Sequence, residues 1–168
     1  MNKKIFFFNL VLLFLFTGSL YASDWKSVET NGFTYRWRIV DEWLESELSY
    51  PTTGWIAVGY NPQRIMKGAD IIIGAVQRNQ VVIEDHFGTS LTAHKNDELL
   101  NGRNDLAAIS GEEQNNTTTL RFKKPLNSQE STDNPLEEGA QVVLIFASSS
   151  RDQLTRMHNK RAKVIITL

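Results

Sequence analysis

Short runs of alternating apolar and polar residues, separated by turn signals, cover most of the chain after its first two dozen positions. The clearest is Phe33–Val40. Phe33, Tyr35, Trp37 and Ile39 fall on one face of an extended chain, and Thr34, Arg36 and Arg38 fall on the other. Residues 44–50 repeat the pattern with Leu44, Leu48 and Tyr50, until Pro51-Thr52-Thr53-Gly54 breaks it as turn residues do. Residues 55–60 are the next predicted strand. Residues 69–76 and 81–87 read as a pair joined by Gln77-Arg78-Asn79-Gln80, and residues 117–122, 141–147 and 163–168 complete the set.

Polar stretches lie between these runs. Residues 88–116 are long and mixed, with room for a short strand or helical turn around Leu99 and Leu106. Residues 127–139 are acidic and turn-rich, and residues 148–161 are polar and basic. No internal repeat and no long amphipathic helix is visible. A series of short strands without intervening helices predicts an all-β domain, a sandwich or a barrel, with the sandwich expected.

The N-terminus departs from this pattern. Lys3 and Lys4 precede an apolar run over residues 5–16, interrupted only by Asn9, and Thr17-Gly18-Ser19-Leu20-Tyr21-Ala22 follows. A positive start, a short apolar middle and a small-residue end predict a cleavable signal peptide over residues 1–22, leaving a single domain over residues 23–168. The run is shorter than the roughly 20 apolar residues that a spanning helix requires, and no later stretch is apolar enough to span. The expected destination is periplasmic or secreted. The Lys-Lys start and short apolar run look bacterial and favour the periplasm.

Charge and cysteine count narrow the chemistry. Without Lys3 and Lys4 the 18 basic residues become 16 against 19 acidic, a net charge of −3. That balance lacks the basic footprint of a nucleic-acid binder. The chain contains no cysteine, which excludes disulfides, iron–sulfur ligation, thiolate zinc and covalently attached haem. A metal or cofactor must therefore be held by histidine, methionine, carboxylates or other oxygen donors.

Beyond the signal segment the soft and nitrogen ligands are Met66, Met157, His86, His94 and His158. Met66 sits in a loop opened by Asn61-Pro62 and closed by Gly68. It is either a flexible gap-filler or a thioether offered to a soft metal such as haem iron. His158 precedes the last predicted strand and, alone, reads as a solvated histidine. His86 ends a strand on a mixed face, and His94 lies in a polar loop where exposure is expected. No histidine pair has zinc-site spacing. There is no G-x-S-x-G elbow, phosphate-binding glycine loop or H-E-x-x-H motif, so the chain reads as a carrier or binding module rather than an enzyme.

Several segments together resemble one family. Gly54-Trp55-Ile56-Ala57-Val58-Gly59 followed by Met66-Lys67-Gly68-Ala69-Asp70-Ile71 is similar to the central signature of DOMON domains. Asp85 after a strand fits the same pattern, as do Thr118-Thr119-Leu120-Arg121-Phe122-Lys123-Lys124-Pro125-Leu126, Asp133 and a histidine shortly before the final strand, His158. The resemblance runs from about Tyr35 to the C-terminus. It implies an immunoglobulin-like β-sandwich of about ten strands. Members of the family bind haem b or sugars. In the cytochrome-type members, such as the electron-transfer domain of cellobiose dehydrogenase, one methionine and one histidine hold the iron, and their positions match Met66 and His158.

The resemblance thus implies an exported b-type cytochrome domain with non-covalent haem b and Met66 and His158 as metal ligands. It would exchange single electrons with a redox partner protein. Arg64 and Arg156 stand beside the ligands in sequence and suit the haem propionates, as do Lys67, Lys160 and Arg161, although ordinary solubilising charge explains them equally. Trp37 is expected in the core, and Trp55 is expected near the haem. The alternative is a haem-free module binding carbohydrate or another small ligand, with exposed aromatics stacking on a sugar.

Overall fold

The computed structural model describes residues 24–168; the expected signal segment over residues 1–22 lies outside the described residues. Eleven strands form among these. In chain order they are β1 (Lys26–Thr30), β2 (Phe33–Val40), β3 (Trp43–Tyr50), β4 (Ile56–Tyr60), β5 (Asp70–Gln77), β6 (Gln80–Phe87), β7 (Lys95–Asn96), β8 (Ala107–Gln114), β9 (Thr117–Pro125), β10 (Gln141–Ser148) and β11 (Lys160–Thr167). One 3₁₀ turn, Asp97–Leu100, follows β7. Five strands make one sheet, in the order β1-β2-β3-β9-β8, and six make the other, in the order β11-β10-β4-β5-β6-β7. All pairings are antiparallel.

The alternation in β2 decides which side faces the core. Phe33, Tyr35 and Trp37 point between the sheets, where they meet Val58, Tyr60, Ile72, Leu144 and Phe146 from the second sheet and Leu48, Leu120 and Phe122 from their own. The Tyr35 hydroxyl is buried but partnered, 2.8 Å from Ser46 Oγ and 3.0 Å from the Tyr60 hydroxyl. Burial pushes Tyr35 up to about 12, so it stays a neutral phenol. The opposite face of the five-stranded sheet carries cross-strand ion pairs: Arg36–Glu47 at 3.1 Å, Arg38–Glu45 at 2.6 Å and Arg121–Glu47 at 2.7 Å.

The architecture is the expected all-β sandwich, with eleven strands rather than about ten. The additional strands lie mainly at sheet edges. β1 (KSVET) and β8 (AAISGEEQ) border the five-stranded sheet and are mostly exposed, so neither carries the alternation that burying one face imposes. The six-stranded sheet is different. All of β4 and the first six residues of β5 are buried, because this sheet is covered on both faces.

Candidate functional site: an apolar cavity on the outer face of the six-stranded sheet

Strand register builds the floor. Ile145 of β10 lies opposite Gly59 of β4, and Gly59 lies opposite Ile71 of β5. Two residues along, Ala147 faces Ala57 and Ala57 faces Ile73. The two rows continue at one edge into Lys163 and Arg161 of β11, and at the other into His86 and Glu84 of β6. Each row therefore runs from a cation, across apolar side chains, to a polar residue on the far edge. Gly59 keeps the centre flat. A Cβ there would approach Ile145 Cγ1 to 2.9 Å and Ile71 Cγ1 to 3.1 Å.

Two loops raise the walls over this floor. The β4–β5 loop carries Met66, half-buried against a cluster of Trp55, Ala57, Ala69, Ile71, Ile73 and Ala75. The β10–β11 loop carries His158. Met66, His158, Trp55 and Arg64 all line one cavity of about 440 Å³, together with Arg161, Lys163 and His94. That volume lies within the range of about 300–1,000 Å³ common to small-molecule sites.

Backbone contacts fix the Met66 loop. Arg64 and Lys67 close a tight turn, Lys67 N donating to Arg64 O at 3.0 Å, with Ile65 and Met66 at its tip. Ile65 has φ of 55°, a left-handed conformation that a β-branched residue adopts at a cost of about 1–2 kcal/mol. Gly68 N donates to Gly88 O at 2.7 Å, Gly88 N donates to Ala69 O at 2.8 Å, and Asn134 Nδ2 donates to Gly68 O at 2.8 Å. The loop's surroundings thus hold a strained turn in place, and Met66 is its cavity-lining thioether.

The opposite wall is also tied down. Trp55 N donates to Arg151 O at 3.1 Å, and Ser149 N donates to Trp55 O at 3.0 Å. Gly54 is required at this approach, since a Cβ would collide with the backbone of residues 149–151. Asn159 N donates to Ser148 O at 2.9 Å, closing the loop just after His158. Met157 is 86% exposed and does not line the cavity, so His158 and its neighbour are not interchangeable.

His94 corrects an expectation. It is half-buried and lines the cavity, where the sequence suggested an exposed loop residue. β7 pairs with the end of β6, His86 opposite Asn96, and this brings His94 beside His86. The two Nδ1 atoms are 2.8 Å apart, and His86 Nε2 is 2.8 Å from Glu84 Oε2. Burial, helped by His86, pushes His94 down to about 4, so it is neutral at physiological pH. Arg156 is exposed and stands outside the cavity lining, which includes Arg161 and Lys163. Their alternation in β11 places both in the outer-face rows.

The residues fit a flat apolar group with anionic edges. The floor is isoleucine, alanine and bare backbone; one thioether and two imidazoles, those of His94 and His158, face the same space, and cations stand along the β11 edge. Trp55 Nε1 is buried and has no hydrogen-bond partner among the described residues, which leaves a donor for a bound group.

The fold is thus an antiparallel sandwich with an apolar, methionine- and histidine-lined cavity outside one sheet. The chain belongs to the DOMON domain family, whose model matches residues 29–149. Met66 lies within that match and His158 lies beyond it. A DOMON domain-containing protein, FRRS1L, is 31% identical over 107 residues in both Homo sapiens and Mus musculus, covering 64% of this chain and 35% of the relative. MOXD1 homolog 2 of Drosophila melanogaster is 27% identical over 97 residues, covering 57% of this chain and 12% of the relative. The chain therefore spans about a third or less of the length of these relatives. Among solved structures, the cytochrome domain of Myriococcum thermophilum cellobiose dehydrogenase superimposes with a TM-score of 0.66 at 13% identity, over 86% of this chain and 81% of that one. The cytochrome b domain of pyranose dehydrogenase from Coprinopsis cinerea superimposes with a TM-score of 0.60 at 11% identity, over 80% and 75%. These structures share the fold.

Proposed function

We propose that the mature chain, residues 23–168, is an exported b-type cytochrome domain. In this reading Met66 and His158 hold haem b non-covalently, and the domain passes single electrons to or from a separate redox protein. The observation that carries it is that Met66 and His158, far apart in sequence, line one cavity over a flat apolar floor. The cytochrome domains that share the fold support it. The signal peptide over residues 1–22 belongs to the same proposal, with the periplasm or the exterior as its destination. No helix among the described residues is long and apolar enough to cross a membrane.

Haem bound here would supply reversible one-electron chemistry, and the Met66 thioether and the His158 imidazole would hold its iron and raise its potential. The chain's own residues would do the rest. Trp55, Ile71, Ile73, Ile145 and Ala147 exclude water from the floor, which tunes potential through the local dielectric. Arg64, Arg161 and Lys163 offer cations to carboxylates at the rim. Glu84 and His86 orient His94 through its Nδ1. The apolar floor offers few of the polar groups that recognise a sugar, which argues against the carbohydrate reading.

The test is titration of haem into the purified mature domain. One equivalent is expected to saturate the protein, His158→Ala is expected to lose tight binding, and His94→Ala is expected to keep it. The reverse dependence on His158 and His94 would overturn the assignment of His158. A protein that stays colourless with haem supplied would overturn the proposal itself, and calorimetric sugar binding would then favour the alternative.

A further inference from the structure

Beneath the cavity, on the inner side of the same sheet, the ends of β5, β6 and β9 meet the β9–β10 loop. Strand parity sends neighbours to opposite faces. His86 faces the cavity side, while Asp85 turns inward opposite Ile72. Asp70, opposite Tyr60, turns inward as well, and Asp133 arrives from the loop after β9. One carboxylate oxygen from each of Asp70, Asp85 and Asp133 lies within 4.8 Å of the others, and all three side chains are buried.

The partners of these carboxylates do not account for their oxygens. Asp70 Oδ2 accepts from Lys124 Nζ at 2.6 Å and from Asn134 N at 3.3 Å. Asp133 Oδ2 accepts from the Ser128 hydroxyl. Asp70 Oδ1, Asp133 Oδ1 and both oxygens of Asp85 have no hydrogen-bond partner among the described residues. Asp85 is 0% exposed. Buried polar atoms are ordinarily paired, and a buried carboxylate with two bare oxygens is among the costliest exceptions.

Charge gives an independent count. Three buried carboxylates face one buried ammonium, that of Lys124, so one divalent cation would bring this group to neutrality. Asp97, fully buried, and Asp105 add to the negative potential felt there. With protein groups alone, burial pushes Asp85 up to about 10, helped by the charge of Asp70. The carboxyl must then either hold a proton or meet a cation.

We propose that Asp70, Asp85 and Asp133 form a binding site for Ca²⁺. Carboxylate oxygens gathered from separate elements suit a hard, oxygen-ligated cation with flexible geometry, and the absence of sulfur and imidazole argues against softer metals. The site would act as a structural clasp. Asp70 begins β5 directly after the Met66 loop, and Asn134, next to Asp133, holds Gly68 O and Tyr60 O at 2.8 and 2.9 Å. Cation binding would thus brace the loop that carries Met66. The site does not rest on the haem reading, because none of its residues lines the cavity.

The test is calorimetry and thermal unfolding of the haem-free mature domain, stripped of metal and titrated with CaCl₂. One Ca²⁺ per chain is expected, with a dissociation constant of about 1 mM or below, as in extracellular modules. The unfolding midpoint should rise by roughly 5 °C at saturation. Asp85→Asn, which keeps the shape and removes the charge, should abolish both responses; Asp133→Asn serves if that variant does not fold. Absence of heat and of any midpoint shift up to about 10 mM CaCl₂ would overturn the site. So would a response to Mg²⁺ without one to Ca²⁺, or an unchanged Ca²⁺ response in the variant.

Discussion

Lys124 Nζ lies 2.6 Å from Asp70 Oδ2, and neither side chain reaches water. Lys124 belongs to β9 and Asp70 to β5, so the pair ties the two sheets together at the point where the Met66 loop re-enters the core. Burial works against the ammonium, but Asp70 and Asp133 outweigh it and hold Lys124 above the ordinary lysine value. Burial raises Asp70 in turn, and the close Lys124 ammonium is the main influence that favours its charged form. Lys124→Met strands the Asp70 charge in the core, and the expected loss is about 3–5 kcal/mol in denaturant unfolding. Lys124→Met with Asp70→Asn should recover much of it. Equal stability of the single and double variants would contradict the pairing.

Gly88 sits where the β6–β7 connection crosses the Met66 loop. A Cβ there would overlap Met66 O and press on Ala69 N. Gly88→Ala must displace one of the two backbones, and the bonds between Gly68, Ala69 and Gly88 would go with it. The variant is expected to lose at least about 2 kcal/mol of stability. It should also weaken haem binding far more than Gly139→Ala, whose strain at a φ of 80° falls outside the cavity lining. Haem titration of the two variants checks this, and equal affinity would contradict the loop's role.

His94 should make the haem-free domain acid-sensitive. Its folded-state value, about 4, lies below its ordinary 6.5. Above pH 6.5 the imidazole is neutral whether the chain is folded or not, so its contribution is fully present. As pH falls from 6.5 towards 4, the unfolded chain takes up a proton that the folded chain refuses, and stability is lost. His86 and His158 oppose that proton, and Glu84 favours it. Unfolding midpoints measured across this window should fall less steeply in His94→Gln than in the parent. Parallel profiles would contradict the assignment.

How much of this was legible in the sequence follows from the physics of each segment. β2 was, because one of its faces is buried and the other wet, and alternation is the mark of that situation. Met66 and Trp55 were placed by signature residues. β1 was not visible, and β8 only as room for a short strand near Leu106, since edge strands are solvated and their residues need not alternate. His94 was missed because its position depends on a pairing only two residues long, between β7 and the end of β6. Proximity in sequence suggested Arg156, but a residue in the loop before β11 has no strand parity to aim it. Arg161 and Lys163, inside the strand, do. The carboxylates Asp70, Asp85 and Asp133 appeared as family-like positions, and only the folded chain shows that their free oxygens converge.

The central claim is that Met66 and His158 both hold the iron of one haem. The visible spectrum of the mature domain, produced with haem and then reduced, tests it most directly. A low-spin Soret band and a sharp reduced α band are expected. Both should be lost or shifted in Met66→Ala and in His158→Ala, and unchanged in Met157→Ala. Spectra that survive both ligand substitutions intact would contradict the account.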